Sequence, residues 1–218
     1  MAKIYFLGDL MLTVALPKGR IAENTLSIFR QIFGRNFKFE DRRLVLETEN
    51  FKFLLVRNQD VPTYVYHQSA DIGVVGLDVI EESGLDLVRL LDLRGGYCKV
   101  VIGMRESDQL DYNKPDIVIA TKMVNITNRF FSKKAISPKI IKLYGSIELS
   151  PLVGLSNMIV DIVETGTTMK QNGLKVVDTI MESTTYLIAN KSSFIEKKSE
   201  ILSLYSQFDK IIRDGGKI

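Results

Sequence analysis

The residues best suited to chemistry lie where the apolar run Met158-Ile-Val-Asp-Ile-Val163 passes into Glu164-Thr-Gly-Thr-Thr-Met169. The first six read as a central strand, in which a carboxylate, Asp161, is costly unless it is paired or used. Gly166 permits a tight turn and a close approach of backbone to ligand. The amides from Gly166 to Met169 can point at an anion, helped by the start of a short helix and by the hydroxyls of Thr165, Thr167 and Thr168. Asp161 and Glu164 stand where they can accept hydrogen bonds from sugar hydroxyls. Together these suit the phosphorylated ribose of a sugar phosphate. A capped strand-to-helix turn uses the same residue types, so the motif alone leaves both readings open.

Three more segments put functional groups at strand ends. Leu16-Pro-Lys-Gly-Arg20 follows an apolar run and precedes a helical pattern, so Lys18 and Arg20 flank Gly19 where phosphates are commonly met. A solvated loop explains the same residues. Arg57-Asn-Gln-Asp-Val-Pro62 also closes a strand, and Arg57 can hold a phosphate or diphosphate with two parallel hydrogen bonds. A surface ion pair is the plainer reading. In Ala70-Asp-Ile-Gly-Val-Val-Gly-Leu-Asp78, Gly76 can admit a ligand to the backbone, and Asp78 can cap the next helix.

The elements that must position these groups alternate between short β-branched runs and helical patterns. That predicts an α/β architecture with mostly parallel strands. Strands are expected at 13–16, 44–46, 51–56, 72–75, 87–93, 97–104, 117–120, 140–144, 158–163, 176–182 and 184–189, with Phe39 a further strand candidate. Helices are expected from Ile21 to a terminal Gly34, over 61–66 with Pro62 in the first turn, over 79–83, over 124–132 with Thr121 as cap, over 151–155 and over 167–172. One amphipathic helix is expected over 194–213, with Ile201, Leu204, Tyr205, Phe208 and Ile212 in its stripe. Polar, turn-rich residues 105–115 suggest a lobe boundary near 104.

The 218 residues are 45% hydrophobic and 25% charged, enough for a substantial core. A net charge of +3, from 29 basic and 26 acidic residues, is nearly balanced. It argues against nucleic acid, which would call for a clustered basic face. One cysteine, Cys98, excludes an intrachain disulfide and fits a reducing, cytoplasmic location. The single histidine, His67, cannot build a His-rich metal site and reads as a surface or turn residue. Residues 1–16 lack a cleavage site and are broken by Asp9, so a signal peptide is a poor reading. No run approaches a membrane span of about 20 apolar residues. Since Met11 opens a complete strand, residues 1–10 are expected to be an N-terminal extension.

Taken in order, the four segments resemble the ATP phosphoribosyltransferase family, which begins histidine biosynthesis. The longest match runs from Glu148 to Met169, with Gly154, Ser156, Asp161, Thr165-Gly166 and Thr168-Met169 at the family's spacing. The resemblance covers roughly residues 11 to 213. It implies a two-lobed, periplasmic-binding-protein-like (type II) α/β fold with ligands in a central cleft. The first lobe would comprise 1–104 plus about 191–218, and the second, 105–190, would carry the loop for 5-phosphoribosyl diphosphate (PRPP). The implied reaction joins adenine N1 of ATP to PRPP, giving 1-(5-phosphoribosyl)-ATP and pyrophosphate. Glu148, Asp161, Glu164, Thr165, Gly166, Thr167 and Thr168 are then expected to bind PRPP. Lys18, Gly19, Arg20, Arg57, Gly76 and Asp78 are expected to bind ATP, with Arg57 and Lys18 as catalytic cations. Mg²⁺ would enter mainly through substrate phosphates, with Asp161 a second candidate ligand. Because the chain stops just after the 194–213 helix, it resembles the family's short form. That form implies dimers of catalytic subunits and a regulatory subunit similar to histidyl-tRNA synthetase, in a hetero-octamer. A non-catalytic two-lobed binding protein for a small phosphorylated ligand is the alternative.

Overall fold

A computed structural model describes residues 11–113 and 115–216; the suggested extension, residues 1–10, lies outside the described residues. The chain divides into two compact units. One runs to Gly96 and resumes at Thr184, and the other spans Tyr97–Ser183. The crossings thus fall at 96/97 and 183/184 rather than near 104 and 190. The physical reason is pairing: residues 98–105 pair as a strand with residues 158–163 and 174–183 of the second unit, and residues 185–189 pair with residues 72–76 and 88–92 of the first.

In the first unit, β1 (Leu12–Pro17) leads through Gly19 into α1 (Arg20–Phe33), which ends at Gly34 in the left-handed conformation (φ 64°). There follow β2 (Val45–Glu47), β3 (Phe51–Val56), α2 (Val61–Tyr66), β4 (Ile72–Gly76), α3 (Leu77–Ser83) and β5 (Val88–Asp92). The second unit contains β6 (Cys98–Arg105), β7 (Val118–Thr121), α4 (Val124–Lys133), β8 (Lys139–Lys142) and α5 (Leu149–Leu152). It continues with β9 (Met158–Val163), α6 (Thr167–Gln171) and β10 (Leu174–Ser183). The chain then re-enters the first unit as β11 (Thr185–Ala189), α7 (Lys191–Glu196) and α8 (Lys198–Arg213).

Among the described residues each unit holds one mixed sheet, in the orders β2-β3-β1-β4-β11-β5 and β10-β6-β9-β7-β8. Of the strand pairings among the described residues, four are parallel and five antiparallel, which corrects the expectation of mostly parallel strands. The parallel pairs are the βαβ units β1–β3, β1–β4, β7–β8 and β7–β9. The strands that enter and leave each unit, β6, β10 and β11, pair antiparallel.

The first unit's core on one face centres on Phe29 of α1, whose ring lies 5.0 Å from both Phe51 and Phe53 of β3 and 5.3 Å from Phe208 of α8. Edge-to-face rings at such spacings add to the energy of burial. The expected helix over 194–213 is two helices, broken at Lys197 (φ −115°, ψ 37°). Lys197 Nζ donates to Met11 O at 3.0 Å and to Asp71 Oδ2 at 2.8 Å. The break follows from this cation turning inward to a buried carboxylate. Asn190 fixes the turn before it: its Oδ1 accepts from the amides of Ser192 and Ser193, and its Nδ2 donates to Val65 O and Tyr66 O.

In the second unit, period-2 alternation sends Val100, Ile102, Met158 and Val160 to the face covered by α4. Val101, Ile159 and Ala120 face the other side, with Ile147, Met169 and Leu174. Thr121 is not the cap of α4, which starts after Met123. Its buried hydroxyl instead donates to Val160 O (2.7 Å) and accepts from Met123 N (2.8 Å), pinning β7 to β9. At the far edge, Tyr112 donates to Asp178 at 2.8 Å, and burial, then this carboxylate, push the phenol's pKa up.

Candidate functional site

β9 is an interior strand, antiparallel to β6 and parallel to β7, and its carboxyl end opens onto the candidate loop. Gly166 adopts a left-handed conformation there (φ 77°), which costs any other residue more, and α6 starts immediately after it. Thr165 Oγ1 and Thr167 Oγ1 are 2.9 Å apart, so one of the two hydroxyls donates to the other across the turn. At five residues α6 has little macrodipole, so anion binding rests on loop amides and hydroxyls rather than on the helix. What holds the loop down is Met169, 2% exposed, which packs onto β6 at Gly103. A Cβ at Gly103 would stand 3.0 Å from Met169 Sδ, so glycine makes room for the anchor.

Glu148 and residues 162–169 line a cavity of about 380 Å³. That space suits a small phosphorylated ligand. Glu148 is brought there by the turn ahead of α5. The loop after α5 closes through Ser150 and Ser156, whose buried hydroxyls are 2.8 Å apart, and through Gly154 at φ 74°. The spacing Glu148…Gly154…Ser156 therefore encodes the turn that carries the glutamate.

The structure brings Glu148, Glu164, Thr165, Gly166, Thr167 and Thr168 together around this cavity. Asp161 stands beside it without lining it. Its side chain is 14% exposed and forms an ion pair with Lys122 (3.4 Å), while Oδ1 also accepts from Ile162 N at 2.8 Å. Lys122 was missed from the sequence, where it is one more cation after an apolar strand. The signal is its register: Thr121 pairs with Val160, so the next residues, Lys122 and Asp161, fall side by side.

The remaining expected site residues belong to the first unit. Pro17 pairs with Val56 in parallel register, and Lys18 N donates to Val56 O at 3.0 Å. Lys18 and Arg57, both exposed, thus stand at the carboxyl ends of neighbouring parallel strands. Gly19 (φ 101°) precedes Arg20 at the start of α1. Gly76 ends β4, the strand on the other side of β1, and Asp78 is buried (4% exposed) in the first turn of α3. Three adjacent parallel strands therefore present a cation pair, a glycine turn and an acid at their carboxyl ends, the usual ligand edge of an α/β sheet. His67 is exposed at the end of α2 and Cys98 is buried. Among the described residues no three His, Cys, Asp or Glu side chains converge as a metal-holding group. No helix among the described residues is long and apolar enough to cross a membrane.

The family model described as HisG: ATP phosphoribosyltransferase matches residues 57–210. The chain belongs to the ATP phosphoribosyltransferase family. It is 64% identical over 208 residues to the ATP phosphoribosyltransferase of Sulfurimonas denitrificans, covering 95% of this chain and 100% of that one. It is 66% identical over 202 residues to that of Campylobacter fetus subsp. fetus, covering 93% and 100%. Among solved structures, the ATP phosphoribosyl transferase (HisG:HisZ) complex from Thermotoga maritima superposes with a TM-score of 0.85 at 33% identity, covering 94% of this chain and 100% of that chain. A putative L-cystine ABC transporter from Listeria monocytogenes superposes with a TM-score of 0.60 at 14% identity, covering 95% and 92%, a likeness of fold alone. The chain is thus a transferase of the ATP phosphoribosyltransferase family built on a periplasmic-binding-protein-like type II fold.

Proposed function

We infer that the chain carries out the first step of histidine biosynthesis, joining ATP to PRPP. Adenine N1 attacks the anomeric carbon of PRPP as the C–O bond to diphosphate breaks, and pyrophosphate departs with the bonding pair. The observation that carries the site assignment is the 380 Å³ cavity walled by Glu148 and the Thr165–Thr168 turn. The amides and hydroxyls of Thr165, Gly166, Thr167 and Thr168 take the 5-phosphate. Glu148, Glu164 and Asp161 accept from ribose hydroxyls. In the other unit, Arg57 and Lys18, with Gly19, Arg20, Gly76 and Asp78 at the same sheet edge, hold ATP phosphates and neutralise the leaving diphosphate. Such chemistry needs positioning and preorganised charge more than a nucleophile.

Mg²⁺ accompanies the diphosphate, as it does in sites that offer one or two carboxylates and rely on substrate oxygens. A cytoplasmic location fits the free, buried Cys98. A regulatory subunit resembling histidyl-tRNA synthetase, in a hetero-octamer, fits the likeness to the Thermotoga protein, which was solved as a HisG:HisZ complex.

One assay tests the reading: pyrophosphate release from ATP, PRPP and Mg²⁺, with and without a candidate regulatory subunit. Release is expected. Asp161→Ala should weaken PRPP binding about ten- to hundredfold, the value of hydrogen bonds to a charged group. Arg57→Ala should lower the rate constant. No release in either mixture would remove the enzymatic assignment, and unchanged PRPP affinity in folded Asp161→Ala would remove the ribose role.

A further inference from the structure

Asp161 combines two properties that rarely coexist by accident. It is a mostly buried carboxylate, and it is only half used by the protein. Both of its contacts, the Lys122 ammonium and the Ile162 amide, go to Oδ1; Oδ2 has no hydrogen-bond partner among the described residues. Lys122 is placed with care. The buried Thr121 hydroxyl locks the end of β7 to β9 and holds the amide of Met123, so the intervening lysine is fixed at both neighbours. Ala120 and Ile159 share the face that carries Met169, and alternation places Lys122 and Asp161 on that same face, beside the loop. A solvated ion pair would be worth little. This one differs, because losing the lysine leaves a carboxylate that is 14% exposed without its counter-ion.

We propose that Lys122 is the positioning residue that keeps Asp161 a hydroxyl acceptor rather than a metal ligand. This rests on the assignment of Asp161 to the ribose. With Oδ1 committed to Lys122 and the Ile162 amide, Oδ2 alone is presented to a ribose hydroxyl. The cation also lowers the attraction of the site for a bare divalent ion, which would otherwise occupy the carboxylate before PRPP arrives and block it. Metal therefore enters with the diphosphate instead of waiting on the protein. On this inference Asp161 is left to the ribose, and Mg²⁺ is held by the substrate's phosphate oxygens.

The test uses the full chain and four variants, Lys122→Met, Lys122→Arg, Asp161→Ala and the Lys122→Met/Asp161→Ala double, with thermal melts confirming that each is folded. Lys122→Gln substitutes if the methionine variant does not fold. PRPP binding is measured by calorimetry, and Mn²⁺ binding to the substrate-free protein by water-proton relaxation. Lys122→Met is expected to weaken PRPP about tenfold, with the loss in KM for PRPP rather than in KM for ATP. It should also tighten Mn²⁺ binding at least several-fold, a gain that adding Asp161→Ala abolishes. Lys122→Arg should restore both towards wild type. A structural role would lower stability without creating a Mn²⁺ site. If Asp161→Ala weakens PRPP but Lys122→Met changes neither PRPP nor Mn²⁺ binding, the inference about Lys122 fails and the ribose assignment stands. If Asp161→Ala leaves PRPP affinity unchanged, the ribose assignment fails, and this inference with it.

Discussion

Gly103→Ala probes how the loop at Thr165–Thr168 is supported from beneath. Gly103 is in the middle of β6, and an added Cβ would stand 3.0 Å from Met169 Sδ, 3.1 Å from Ile159 Cγ1 and 3.3 Å from Met169 Cε. Carbon contacts settle at about 3.5–4.0 Å, so roughly 0.5 Å must be found. Ile159 is β-branched, fully buried and part of the interior strand, so it yields little. Met169 is unbranched and adaptable, so it moves, and α6 moves with it. Overpacking costs about 1–3 kcal/mol, and replacing a glycine in the unfolded chain returns about 0.4–1 kcal/mol. Net destabilisation should therefore be small, about 1 kcal/mol or so. The loop is affected more than the fold. A misplacement of 1 Å can cost a hundredfold, so half of that predicts PRPP affinity lowered about tenfold. Steady-state kinetics with each substrate varied in turn, alongside a thermal melt, separates the two effects. PRPP KM should rise while ATP KM holds. Adding Met169→Ala should relieve the crowding, so the double variant binds PRPP no worse than Met169→Ala alone. If Gly103→Ala leaves PRPP KM unchanged, or raises both KM values equally, the anchoring argument is wrong.

Two further expectations concern the framework. Lys197→Met leaves Asp71, whose side chain is 9% exposed, with the Thr13 amide at 2.8 Å as its one remaining side-chain partner among the described residues; unfolding free energy should fall by about 3 kcal/mol, read as a lower Tm, and a shift below about 2 °C would contradict it. Tyr112 tests pH linkage: its pKa is raised by burial and by Asp178, so the folded state resists its ionisation. The stability this gives is whole below the ordinary phenol value of about 10 and is lost as pH rises through the folded value. Denaturant midpoints should therefore decline in alkali, and Tyr112→Phe should flatten part of that decline; an identical slope in the variant would reject the linkage.

Local chemistry made much of this protein legible from its sequence. Gly34 and Gly84 end helices in left-handed conformations, Pro62 sits in a first turn, and residues 158–163 form a strand with the bounds that their apolar run suggests. The turn at Thr165–Thr168 was equally readable, because a glycine supplies the left-handed residue that a tight turn needs and threonine hydroxyls favour turns and helix starts. These are properties of neighbours along the chain. Pairing direction was not readable, since a β-branched run suits parallel and antiparallel neighbours alike; hence the antiparallel entry and exit strands and the crossings at 96/97 and 183/184. Nor was the break at Lys197, whose amphipathic stripe continues on both sides while its ammonium is drawn to Asp71, 126 residues away in sequence.

The same distinction governs the site. Sequence alone determined that Asp161 lies in a buried strand and must be paired or used, and it supplied the types of residue a phosphoribose needs. Tertiary structure decided the pairing: Lys122 meets Asp161 because β7 and β9 are hydrogen-bonded in one register, a relation that the long stretch of chain between them does not disclose. It also decided that Gly103 and Met169 meet under the loop. Residue type carries charge, size and backbone freedom, whereas the partner that satisfies a buried charge is chosen only when strands align.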